Sequence, residues 1–175
     1  MELGWFVSCF ATHEAVQLEK GQILFRTGDL IQRIYVVESG CVALRRPLSH
    51  GEFLTVHRAG SGILLAEASL FSDNYHCEAV TTEATSLRAY SLQEVRTCMQ
   101  QQPEFAIQIG QYLATQIMAL RSRLELAHIL SAEERLFTWI RINVDKQGQL
   151  ELDRSLKTVA SELGMAHETL YRNLK

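Results

Sequence analysis

The repeat of the chain changes at Gln100-Gln101-Gln102, and that change divides what it can fold into. Before about residue 95 the apolar residues come in short runs: Gln22 to Phe25, Arg33 to Val37, Cys41 to Leu44, Phe53 to His57 and Ala79 to Thr82. Gly21, Gly28, Gly40, Gly51, Gly60 and Gly62 stand between them. Such spacing predicts a small antiparallel barrel or sandwich, whose tight corners need residues that reach positive φ without a Cβ clash. Beyond Pro103 the spacing becomes helical, and Pro103 suits a first helical turn, where its missing N–H costs no bond. Ala106, Gly110, Leu113, Ile117, Leu120, Leu124 and Ala127 then recur at intervals of four and three. That is a heptad seam, along which two copies of the helix can pair. The alternative is one amphipathic helix packed on its own barrel.

A third region follows. Ser131-Ala132-Glu133-Glu134 is a capping box. It opens a helix through Leu136, Phe137, Trp139 and Ile140 that ends before the turn Asp145-Lys146-Gln147-Gly148, with a short strand expected from Gln149 to Leu152. Ser155 can cap a helix from Leu156 to Leu163, Gly164 breaks it, and Ala166/His167 open a second. Val159, Ala160 and Leu163 on the first helix and Leu170 and Leu174 on the second give helix-turn-helix spacing. His167, Glu168, Tyr171 and Arg172 then lie near one outer face, and these side chains can read base edges or phosphates. An αα-hairpin that only packs would show the same apolar pattern.

Composition narrows the class without naming a partner. Lys and Arg total 17 against 20 Asp and Glu, a net charge of −3. Residues 131–175 hold seven of each sign, so this end is less acidic than the rest yet lacks the basic footprint of a nucleic-acid-binding segment. No stretch approaches a membrane span, and Met-Glu-Leu-Gly-Trp-Phe is not a secretory signal, so a cytoplasmic protein is expected. Cys9, Cys41, Cys77 and Cys98 are too scattered for a zinc knuckle and read as free thiols. His50 and His57 do not form the His-x-His pair of a cupin-like metalloenzyme, and no nucleophile or phosphate-loop motif is present, so an enzyme is not expected.

Two blocks carry a family resemblance. One is Lys20-Gly21-Gln22-Ile23-Leu24-Phe25-Arg26-Thr27-Gly28-Asp29, followed by Ile34-Tyr35-Val36-Val37 and Gly40-Cys41-Val42. The other is Leu163-Gly164 with Glu168-Thr169-Leu170-Tyr171-Arg172. In that order, with a heptad helix between, the chain resembles the CRP/FNR family of bacterial transcription regulators. The resemblance implies an α+β chain with three parts. Residues 1–102 form an antiparallel, jelly-roll or cupin-like sensor β-roll, 103–130 a dimerisation helix with Leu113, Ile117, Leu120, Leu124 and Ala127 at the interface, and 131–175 a winged helix-turn-helix. It also implies that the wing lies past Lys175, so the chain is expected to be incomplete there. Duplex DNA with a palindromic operator, a second copy and RNA polymerase are the implied partners, with His167, Glu168, Thr169, Tyr171 and Arg172 at the DNA.

The departures concern the effector. Family members that bind cyclic AMP carry a Gly-Glu pair and, about ten residues on, an Arg followed by a small hydroxyl residue and Ala. Here the first pair is Ala66-Glu67 and the second place reads Cys77-Glu78-Ala79. The phosphate-neutralising guanidinium is missing and a carboxylate stands beside its place. Leu120 and Arg121 replace the hydroxyl side chains that meet adenine. Cyclic AMP is therefore disfavoured, and the effector is unknown. Sensing through haem or another small ligand is the alternative, although adjacent His76 and Cys77 would point to opposite faces of a strand and Cys9 stands alone where an iron–sulfur cluster needs several cysteines.

Overall fold

The computed structural model describes residues 3–145, 147–150, 152 and 155–174. It divides into two units, Met1–Leu113 and Ala114–Lys175.

The first unit contains a short helix α1 (Gly4–Val7) and strands β1 (Glu14–Leu18), β2 (Ile23–Phe25), β3 (Arg33–Ser39), β4 (Val42–Pro47), β5 (Phe53–Ala59), β6 (Leu64–Leu65), β7 (Glu78–Thr81) and β8 (Thr85–Ser91). They form two antiparallel four-stranded sheets of order β1-β8-β3-β6 and β2-β7-β4-β5. Both sheets turn apolar side chains into one core that includes Ile34 and Val37 of β3, Leu87 of β8, Val42 of β4 and Ala79 of β7. The pleat explains the selection: Val42 and Leu44 face this core, whereas Ala43 and Arg45 face the other side of the sheet. The antiparallel roll expected from the glycine-punctuated runs is therefore present.

Gly40 joins β3 to β4 at φ +85°. A Cβ there would meet the Ala84 carbonyl oxygen and come within 2.6 Å of Thr85 Oγ1 and 2.7 Å of Thr85 Cα. Glycine is thus required twice, by the backbone angle and by the close approach of β8.

The strand texture up to residue 95 conceals a helix. Helix α2 (Leu92–Gln101) starts at Leu92, and the Ser91 hydroxyl accepts from the Glu94 N–H at 3.4 Å. Ser91-Leu92-Gln93-Glu94 carries the same capping signal as Ser131 to Glu134, and it was legible. Strands β1, β6 and β8 and helix α1 also lie outside the expected runs. β1 (Glu-Ala-Val-Gln-Leu) is largely exposed, and β6 has two residues held by pairing with Tyr35 and Val36. Neither leaves a hydrophobic repeat long enough to read.

Helix α3 (Pro103–His128) begins at the proline, as the sequence requires. Within the first unit it buries Phe105, Ile109 and Tyr112 against the roll. Phe105 joins an aromatic cluster in which Phe6 meets Trp5 at 5.7 Å and Tyr90 at 5.2 Å, both edge to face.

In the second unit α3 continues to His128 and is followed by α4 (Ala132–Asn143), α5 (Leu156–Glu162) and α6 (His167–Asn173). Ser131 caps α4, accepting from the Glu134 N–H at 3.3 Å. Leu126, Leu136, Trp139, Val159, Ala160, Leu163 and Leu170 form the core. The expected strand from Gln149 to Leu152 is not observed: Gln149, Leu150 and Leu152 are outside any strand, and Glu151 lies outside the described residues. Instead the Asp145 side chain closes a turn, accepting from the Gln147 and Gln149 N–H groups at 2.9 and 2.7 Å.

Candidate functional site

Ala66-Glu67 and Cys77-Glu78-Ala79 lie in the roll, after β6 and at the start of β7. Ala66 follows β6 with φ +70° and ψ 19°, and it is the one non-glycine residue at positive φ among the described residues. A side chain there costs about 1 to 2 kcal/mol relative to the right-handed region. The backbone that a glycine would take at this corner is kept although the glycine is not. It starts a single 3-10 turn, Glu67–Ser69, and holds the Glu67 carboxyl against the protein. Burial pushes that carboxyl above the usual carboxylate range, while its own backbone N–H and that of Ala68 pull it down. The Tyr112 hydroxyl of α3 exchanges hydrogen bonds with the Leu64 backbone, accepting from the N–H at 3.3 Å and donating to the carbonyl at 3.4 Å. Burial and the charge of Glu67 push Tyr112 up to about 12.

Cys77 is buried and lies against the core of the roll. Burial pushes its thiol up, Arg46 pulls it down, and Glu67 pushes it up further. His76, its neighbour, is exposed, and both residues lie in a bend ahead of β7 rather than in a strand.

Glu78 corrects the expectation of a carboxylate beside the phosphate position. It is paired in register with Arg45 on the face of the sheet that carries Ala43 and Val80. Arg45 Nε and Nη2 both donate to Glu78 Oε1, at 2.7 and 2.6 Å, and the guanidinium lies 4.1 Å over the Phe53 ring. The extra charge is therefore paired with a guanidinium. Sequence spacing could not reveal this, because Arg45 and Glu78 are 33 residues apart.

Leu120 and Arg121, the other two candidate pocket residues, are exposed on α3 in the second unit. On the expected seam Leu113 packs on the roll, whereas Ile117, Leu120 and Leu124 are 49, 55 and 61% exposed and Ala127 is exposed as well. Met118 beside them is also open.

At the other end, Ser155 caps α5 by accepting from the Thr158 N–H at 3.2 Å. Gly164 ends it at φ +59°, and the Met165 N–H donates back to the Ala160 carbonyl at 3.0 Å. This six-to-one closure with glycine in the left-handed position fixes the direction in which α6 departs. Leu170 is fully buried, Thr169 is half-buried, and Glu168, Tyr171 and Arg172 are exposed. His167 and Tyr171, one turn apart, meet edge to face with ring centroids 4.6 Å apart. His167 itself is half-buried.

Among the described residues no group of three or more His, Cys, Asp and Glu could hold a metal ion. No helix of those residues is long and apolar enough to cross a membrane.

Comparison with known proteins agrees with this geometry. The cyclic nucleotide-binding domain model matches residues 15–102, just over half of the chain. The chain is 24% identical over 169 residues to the global nitrogen regulator of Synechococcus elongatus, covering 90% of this chain and 76% of that protein. It is 23% identical over 163 residues to the transcriptional activator protein Anr of Pseudomonas protegens, covering 89% of this chain and 66% of that relative, slightly under two thirds of its length. Among solved structures, FixK2 from Bradyrhizobium japonicum superposes with a TM-score of 0.68 at 18% identity, over 93% of this chain and 83% of FixK2. Matched by its own family model across the roll and aligned with regulators beyond it, the chain belongs to the cyclic nucleotide-binding domain family, in its CRP/FNR group.

Proposed function

We propose that the chain is a homodimeric, sequence-specific DNA-binding transcription regulator whose roll holds an effector site of altered chemistry. The observation that carries the DNA reading is the glycine-closed turn between α5 and α6. It anchors α6 through Leu170 and leaves Glu168, Tyr171 and Arg172 open to solvent. In a helix-turn-helix the N-terminal turns of the second helix enter the major groove. Arg172 can there donate to guanine O6 and N7, and Glu168 can accept from cytosine N4. Tyr171, held by His167, suits a phosphate or a thymine methyl. A two-fold dimer calls for a palindromic operator with half-sites about one helical turn apart. The named regulators among the relatives support the same reading.

The test is selection of binding sites from random duplexes by the native protein, repeated for Arg172→Ala and Glu168→Ala. Each variant is expected to relax preference at one half-site position, by about 1 to 3 kcal/mol of discrimination. Equal loss on every sequence would mean that these residues only hold the backbone.

A further inference from the structure

Helix α4 buries Leu136 and Trp139 and leaves its opposite side open. Glu134, Phe137, Thr138 and Arg141 share that side, because steps of three, four and seven residues return to one face of a helix. With Ser131 and Glu133 they line a groove of about 470 Å³. Phe137 is more than half exposed in it, and Glu134 and Arg141 are exposed on either side. Among the described residues no ion pair engages either of these two charges. Along the chain the groove follows the open apolar residues of α3. Leu120 and Leu124 lead through Leu130, almost fully exposed between α3 and α4, to Phe137.

We propose that this face of α4 docks on the same face of a second copy, with the two α4 helices antiparallel. Charge selects both the occupant and its direction. In an antiparallel pair with its two-fold axis between Phe137 and Thr138, Glu134 meets the partner's Arg141, Arg141 meets the partner's Glu134, and Phe137 packs beside the partner's Thr138. A parallel pair would set Glu134 on the partner's Glu134 and Arg141 on the partner's Arg141. The antiparallel pair also brings each acidic first turn next to a basic last turn, the direction that helix dipoles favour. One two-fold axis relates this contact and the α3 seam in a single dimer. Leu136 and Trp139 share a core with Leu170 of α6, so a paired α4 fixes how far apart the two α6 helices stand, and with that the half-site spacing.

This inference rests on the homodimer of the proposed function and extends its interface beyond α3. The test is a charge exchange in the full chain, read as the dimer dissociation constant by sedimentation. Glu134→Arg and Arg141→Glu each replace an attraction by a repulsion at both ends of the pair, because the axis repeats every change. Each is expected to weaken the dimer about tenfold, and the double variant to return to within about twofold of the native value. An effect confined to α4 behaves in the opposite way. Both changes oppose the helix dipole, so the double variant would then be the weakest of the three. Phe137→Ser leaves every charge in place and is expected to weaken the dimer by a similar factor. Single variants that dimerise like the native chain overturn the proposal and leave the groove to another occupant, as does a double variant weaker than either single one. A native chain that is monomeric at every concentration fails the homodimer reading, and this inference with it. A native dimer indifferent to the α4 charges fails this inference alone.

Discussion

Gly40 and Gly21 have nearly the same backbone, φ +85° and +83°, and differ in what surrounds them. A Cβ on Gly21 would meet nothing within 4 Å, whereas one on Gly40 would strike the Ala84 carbonyl and two atoms of Thr85. Alanine at either site pays about 1 to 2 kcal/mol for the left-handed conformation and regains about 0.4 to 1 kcal/mol from the unfolded chain. These contributions cancel in the comparison. Thr85 cannot retreat, being 3% exposed on β8. Its hydroxyl also accepts from the Cys41 N–H at 3.3 Å, a bond that any outward shift of the β3–β4 corner would stretch. Overpacking of about 1 to 3 kcal/mol and the weakened bond put Gly40→Ala about 2 to 4 kcal/mol below Gly21→Ala. The reporter is Trp5 fluorescence during urea unfolding, in a Trp139→Phe background, since Trp5 lies in the roll and is the other of the two tryptophans. With a slope of about 2 kcal/mol per molar urea, the midpoint should fall by a further 1 to 2 M, roughly. Equal midpoints for the two variants would refute the claim that the approach of β8, and not the backbone angle alone, demands glycine at position 40.

Replacing Leu120 and Leu124 together by glutamate places like charges across the proposed seam, and sedimentation should then show monomers; an unchanged dimer removes the seam from the interface. Because Glu67 titrates above its unfolded value, the native state holds that proton more tightly, so its contribution is present below the unfolded pKa and is lost as pH rises through the folded pKa. Glu67→Gln should flatten this decline in urea midpoint with pH, and an unaltered profile counts against the buried carboxyl. Glu78→Ala leaves the Arg45 guanidinium without its carboxylate and should destabilise the roll by about 1 to 3 kcal/mol, read by the same unfolding assay.

Local chemistry was decided by sequence alone. Pro103 and Ser131 each mark a helix start because a proline ring or a capping hydroxyl acts within one turn, and Gly164 ends α5 for the same reason. The roll is legible from its corners, and the capping signal at Ser91 stands among strand-like runs that mask it. The α3 seam could be read as a period, since the spacing of four and three needs no partner to be visible. What only the tertiary structure decided is which side of a sheet a charge faces and what stands across from it. Glu78 reads as a liability beside Cys77 until β4 brings Arg45 opposite it. Strand pairing joins residues some thirty positions apart, and a period of two sends neighbours in opposite directions, so the charge pairing on this sheet exists only after the sheets have formed.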